Sequence, residues 1–232
     1  MSHYCVAVFC NEPDDMSFDE LLAPYSETDE KYMEFVPSEN LEERYQKYKE
    51  KNPETTMDFE EFAEDYCGCE LRDGIWGRVY NPNAKWDWYT LDGREDIFEN
   101  IPGQKPEGNY YRYRKNQLNF YPKIDLTKES IFWDHYVEQK PIPEGSEPPC
   151  SFFKREFYLE RYGSKEQYLK EMGTVTPYAF VTPDGEWHAP GNMGWFACSD
   201  ETAESTNEYI EEWYMFINSS DNPYVSFVDC HI

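Results

Sequence analysis

Two stretches of this chain gather large rings and cations. In "NPNAKWDWYTLDGRE", residues 81–95, Lys85 and Arg94 flank Trp86, Trp88 and Tyr89, with Asn81 and Asn83 placed to fix a turn. In "NYYRYRKNQLNFY", residues 109–121, Tyr110, Tyr111 and Tyr113 interleave with Arg112, Arg114 and Lys115. Rings that stack on a base and cations that meet a phosphate are what a nucleotide-like ligand needs. On an extended strand Trp86, Trp88 and Thr90 share one face, while Lys85, Asp87 and Tyr89 share the other. A plainer reading stands beside this one: both tryptophans as core rings, and Tyr–Arg alternation as a solubilised sheet edge.

A second group of reactive types lies in the C-terminal half. "GEWH" contains His188, "WFAC" contains Cys198, and "VDCHI" contains Asp229, Cys230 and His231. In a strand Asp229 and His231 face one way and Cys230 faces the other with Val228. An Asp–His pair on one face orients an imidazole for base chemistry, so a small hydrolase would use His188, Asp229 and His231. His188, Cys198 and His231 could instead hold zinc. Neither set has diagnostic spacing, and a structural Asp–His pair near the terminus is the simpler expectation. The chain has no P-loop, no G-x-G-x-x-G and no G-x-S-x-G, so neither metal nor cofactor is expected.

Charge narrows the partners. The 232 residues carry 47 acids against 21 bases, a net charge of −26. Such a balance disfavours direct nucleic-acid binding and anionic membranes. Residues 1–70 carry 20 acids and 5 bases, whereas residues 72–128 carry 8 acids and 10 bases. Both ring-and-cation stretches fall in that one segment without acidic excess. No apolar run approaches the roughly 18 residues of a membrane span. The opening "MSHYCVAVFC" reads as a first strand rather than a signal peptide, and the seven cysteines, irregularly spaced, read as reduced thiols in a cytoplasm.

These residues need elements to position them. "HYCVAVF" predicts a central strand and "YVSFVDCHI" a closing one that pairs with it or with residues 177–182. Helical spacing marks "SENLEERYQKYKEK", "TTMDFEEFAEDYCG", "SFFKREFYLERYG" and "ETAESTNEYIEEWYMFI". Ser164 and Gln167 form a capping-box signature before "YLKEMG". "PYAFVTPDGEWHA" predicts a hairpin around "PDG". Residues 75–126 predict short aromatic strands, and the proline-rich 141–150 either a linker or a surface loop. The expected class is α+β, a mostly antiparallel sheet with several amphipathic helices, in one domain spanning 1–232.

"MSH" before a strand, "LAPY" at 22–25, "NPNAKWDWY" at 81–89, "GEWH" at 185–188, "MGWF" at 193–196 and the terminal "VDCHI" together resemble a family of bacteriophage and prophage proteins. Members follow the "NPNAKWDWY" element with an "IGGRW"-like ending; here "LDGRE" keeps Gly93 and Arg94 but has Glu95 in place of the final Trp. The resemblance implies viral origin and action in a host bacterial cytoplasm. Combined with the ring-and-cation stretches, it leads to a counter-defence binding protein. The ligand would be a nucleotide-derived immune signal held by Asn81, Asn83, Lys85, Trp86, Trp88, Tyr89, Arg94, Arg112 and Arg114. The alternative is an acidic DNA mimic, residues 1–70 and 200–212 occupying the basic groove of a host defence protein such as a nuclease or CRISPR effector.

Overall fold

The apolar run at the N-terminus forms β1, His3–Cys10, and from Tyr4 onward every residue of it is buried. Burial on both faces explains why the run is nearly continuous rather than alternating. The structure is a computed structural model that describes residues 2–91, 112–142, 144–145, 147–194 and 198–232. It divides into a larger unit, Met1–Leu22 with Trp88–Ile232, and a smaller one, Ala23–Asp87.

In the larger unit β1 is central. The closing strand β9, Tyr224–His231, pairs with it antiparallel along its whole length, from His3 opposite His231 to Cys10 opposite Tyr224. On the other side β7, Ala179–Val181, runs parallel to β1. β8, Trp187–His188, returns antiparallel to β7 through a turn in which Gly185 takes a φ of +89°. The outer edge of β9 holds two short strands end to end. β5, Trp88–Leu91, pairs with residues 228–231, and β6, Arg112–Arg114, pairs with residues 224–226.

Register sorts side chains onto two faces. Cys5, Ala7, Phe9, Val225, Phe227 and Phe180 join one core cluster with Tyr209, Trp213 and Ile217 of α7, Ala203–Ile217. Each such aliphatic or aromatic side chain contributes about 1.5–3 kcal/mol on burial. Thr202 caps α7 by accepting a hydrogen bond from the Ser205 N–H. The opposite face carries Tyr4, Val6 and Val8, and Tyr89 on that face donates to Asp19 of α1, Asp15–Leu22.

A satellite cluster surrounds Trp133, Val137 and Tyr168. It comprises α4, Thr127–Phe132, continued as a π-helical turn over Trp133–Val137, with α5, Arg155–Tyr162, and α6, Lys165–Met172. The described residues of the proline-rich 141–150 form a surface loop between elements of this cluster, not a linker. Residues on either side of it meet directly, with Arg155 Nε donating to the Val137 carbonyl at 2.6 Å and Tyr136 Oη to the Phe153 carbonyl at 2.7 Å.

The smaller unit is a three-stranded antiparallel sheet in the order β2, Glu34–Pro37; β4, Ile75–Tyr80; β3, Glu70–Arg72. Its core joins Leu41 of α2, Leu41–Lys51, with Phe62 and Ala63 from the π turn that continues α3, Phe59–Glu61, to Tyr66, and with Cys69 beyond it. Gly68, at φ +62°, ends that helix as its position after Tyr66 predicts. The class is α+β, and among the described residues the strands named above pair antiparallel except at β1–β7.

Candidate functional site

The "NPNAKWDWY" run is cut by the division between units: Asn81–Asp87 belong to the smaller, Trp88 and Tyr89 to the larger. Asn81 fixes a turn as its type suggests. Its Oδ1 accepts from the Asn83 N–H at 2.9 Å, and its Nδ2 donates to the carbonyls of Pro24 and Ser26, each at 2.8 Å. Buried and fully used, Asn81 is a structural residue. Trp86 is 9 % exposed. It forms a bridge to Ser26, and the Lys85 N–H donates to the Tyr25 carbonyl at 2.8 Å. Expectation assigned Trp86 and Trp88 to one strand; the strand starts only at Trp88, and Trp86 is core.

Trp88 is different. It is 44 % exposed and stands opposite His231 in the β5–β9 register. The two rings stack, centroids 4.8 Å apart and 19° between planes, while His3 meets Trp88 edge-on at 5.5 Å and His231 at 5.1 Å. Asp229, two residues before His231 and on the same face, pairs with His3 Nδ1 at 2.9 Å through Oδ2. The predicted Asp–His pair therefore exists, but with His3 of the neighbouring strand in place of His231. When Nδ1–H donates to Asp229, Nε2 is the basic nitrogen of His3. His3, Trp88, Asp229 and His231 form one cluster at the end of the central sheet, with Thr90 and Cys5 on the same face by register.

The other predicted residues are elsewhere. Tyr89 points to the opposite face, where burial first and then its hydrogen bond to Asp19 push its phenol up. Arg114 lies on that same face by register. Its guanidinium sits 3.6 Å from the Tyr224 ring centroid and donates to the Asn222 carbonyl and the Tyr224 hydroxyl. Lys115 is buried and donates from Nζ to the Phe216 and Ser219 carbonyls and the Ser219 hydroxyl. It caps the C-terminal end of α7, where a helix favours positive charge. Arg112 takes its strand place opposite Ser226. Arg94, Tyr110 and Tyr111 lie outside the described residues.

His188 does not join Asp229 and His231. It belongs to β8, with β1 and β7 between it and β9, a separation of roughly 14 Å at about 4.8 Å per strand. It stacks on Phe180 at 4.5 Å and pairs through Nδ1 with Glu212 at 3.0 Å. A hydrolase built on His188, Asp229 and His231 together is excluded by that topology. Among the described residues no group of three or more His, Cys, Asp or Glu side chains is placed to hold a metal ion, and no helix is long and apolar enough to cross a membrane.

His3 is the residue that motif reading misses. Its only signal is the alternation of "HYCVAVF", which becomes informative once His3 is known to face His231 across β1–β9. Compared with known families, curated proteins and solved structures, the chain finds no match in any of the three.

Proposed function

We propose that this chain is a phage-encoded counter-defence protein that acts by binding, and that it sequesters a nucleotide-derived immune signal against Trp88. The observation that carries this reading is the state of that ring: nearly half exposed, yet held by a stacked His231 and an edge-on His3. A ring fixed before the ligand arrives loses little side-chain entropy on binding, and a stacked base contributes about 1–3 kcal/mol. The imidazoles of His3 and His231 and the Asp229 carboxylate add hydrogen-bonding groups around the stack. The test is titration of the protein with a panel of cyclic oligonucleotides and ADP-ribose derivatives, read by tryptophan fluorescence and calorimetry. Saturable binding by the wild type that is lost in Trp88→Ala supports the reading, and silence across the panel overturns it.

A second reading has its own observation. Glu42, Glu43, Glu50, Glu60, Glu64 and Asp65 are all exposed on α2, α3 and the turn that follows. That density of carboxylate suits the basic groove of a host nuclease. Retention of a host protein from infected-cell lysate, released by moderate salt, is the outcome expected of it.

A further inference from the structure

Several cations of the smaller unit have partners. Lys47 pairs with Glu43 at 2.7 Å and Arg72 with Glu70 at 2.5 Å, while Lys31 and Lys49 lie over the rings of Tyr32 and Tyr45. Arg44 and Arg78 are set apart by ion pairing alone, since Arg78 also lies over a ring, that of Tyr80. Neither makes an ion pair among the described residues, in a chain with more than twice as many acids as bases. Both line one depression of about 160 Å³, which also contains Ser38, Glu39 and Tyr80.

Two elements distant in sequence bring these arginines to the one depression. Arg44 comes from α2 and Arg78 from β4; burial raises the nearby Cys67 thiol, and the two positive charges offset only part of that rise. Arg78 is also steadied over the Tyr80 ring, 5.5 Å from its centroid. Two planar forks offer more N–H donors than the two oxygens of a carboxylate can accept, and a tetrahedral oxyanion matches them better. Glu39 in the same depression makes no ion pair with either arginine. A space of about 160 Å³ is smaller than the about 300–1,000 Å³ that encloses a whole small molecule, so it suits a head group.

We propose that Arg44 and Arg78 form a binding site for a phosphate group, free or at the end of a larger ligand, with the Ser38 and Tyr80 hydroxyls completing its hydrogen bonds. The site is independent of the Trp88 reading. Its test is calorimetric titration of the full chain at low ionic strength with inorganic phosphate, phosphoserine and AMP, with chloride as the comparator. Saturation below about 10 mM is expected. Arg44→Gln and Arg78→Gln should each raise Kd by about tenfold, the loss of one charge-assisted pair. Arg72→Gln, whose arginine already has Glu70, and Trp88→Ala should bind as the wild type does. Esters binding at least tenfold tighter than inorganic phosphate would assign the site to a head group, and equal affinities would assign it to free phosphate. No saturation with any of the three probes, or equal binding by the wild type and both arginine variants, overturns the proposal.

Discussion

Trp86 and Trp88, two residues apart, are expected to respond oppositely to truncation. Trp86 is buried, at 9 % exposed, so Trp86→Ala should cost about 3–5 kcal/mol of stability, read as a lowered denaturation midpoint. Trp88→Ala removes a ring 44 % exposed and should leave the midpoint closer to wild type while abolishing ligand binding. Equal destabilisation by both would make Trp88 ordinary core. Strand alternation placed the two rings on one face, a correct rule applied to a strand that begins only at Trp88. The same rule succeeded for Asp229 and His231, which do share a face. It could not supply the partner of Asp229, because His3 reaches that carboxylate through pairing between the first and last strands, and register across the chain is not written in either strand alone. Lys115 and Arg114 looked like ligand cations by type and neighbourhood; their engagement by α7 carbonyls and Tyr224 depends on contacts more than 100 residues away in sequence.

Elements with strong periodicity were readable, and those without it were not. The buried positions Tyr209, Ile210, Trp213 and Ile217 of α7 follow the 3.6-residue repeat, and Ser164 caps α6 through the Gln167 N–H. α4 and its π turn went unread because Ile131, Phe132 and Trp133 are contiguous and apolar, a pattern as suited to a strand as to a helix. β2, with four residues, is too short to show a period. Pairing makes β9 the most consequential element, since it hydrogen-bonds β1 on one side and β5 and β6 on the other. Deleting residues 224–232 should abolish cooperative unfolding of the larger unit; a sharp calorimetric transition in the truncated protein would contradict that. In the smaller unit, a Cβ on Gly77 would stand 2.5 Å from the Phe35 ring and 2.6 Å from the Val36 carbonyl oxygen. The ring can rotate but the backbone oxygen cannot, so Gly77→Ala should destabilise by about 1–3 kcal/mol, measurable by chemical denaturation.

At the scale of the whole molecule, charge and tyrosine dominate the solution behaviour. With a net charge of −26, any complex made through the acidic helices should weaken steeply as salt rises, because exposed charges are screened beyond about 8–10 Å. Glu60→Lys with Glu64→Lys should weaken it further, whereas ligand binding at Trp88 should not respond to those two charge reversals. The tyrosines set an alkaline limit. Burial is the leading cause that pushes Tyr168 and Tyr178 up to about 12 from an ordinary value of 10.0. Tyr209, fully enclosed with its hydroxyl donating to the Pro177 carbonyl at 2.7 Å, moves the same way. A phenol whose folded value is raised holds its proton more tightly in the native state than in the unfolded chain. Its contribution to stability is complete below about pH 10 and is lost as pH rises from about 10 to 12. Urea midpoints should therefore show no tyrosine-linked change between about pH 8 and 9, then fall steeply above about pH 10. Tyrosinate absorbance should grow on unfolding and not before it. Tyr178→Phe deletes one such group, and with it the hydroxyl's contacts to the Gly191 carbonyl at 3.0 Å and Ser199 Oγ at 2.9 Å. That variant should lose stability at neutral pH and show a shallower alkaline decline than the wild type. An unchanged alkaline slope would mean that Tyr178 ionises as readily in the folded protein as in the unfolded one.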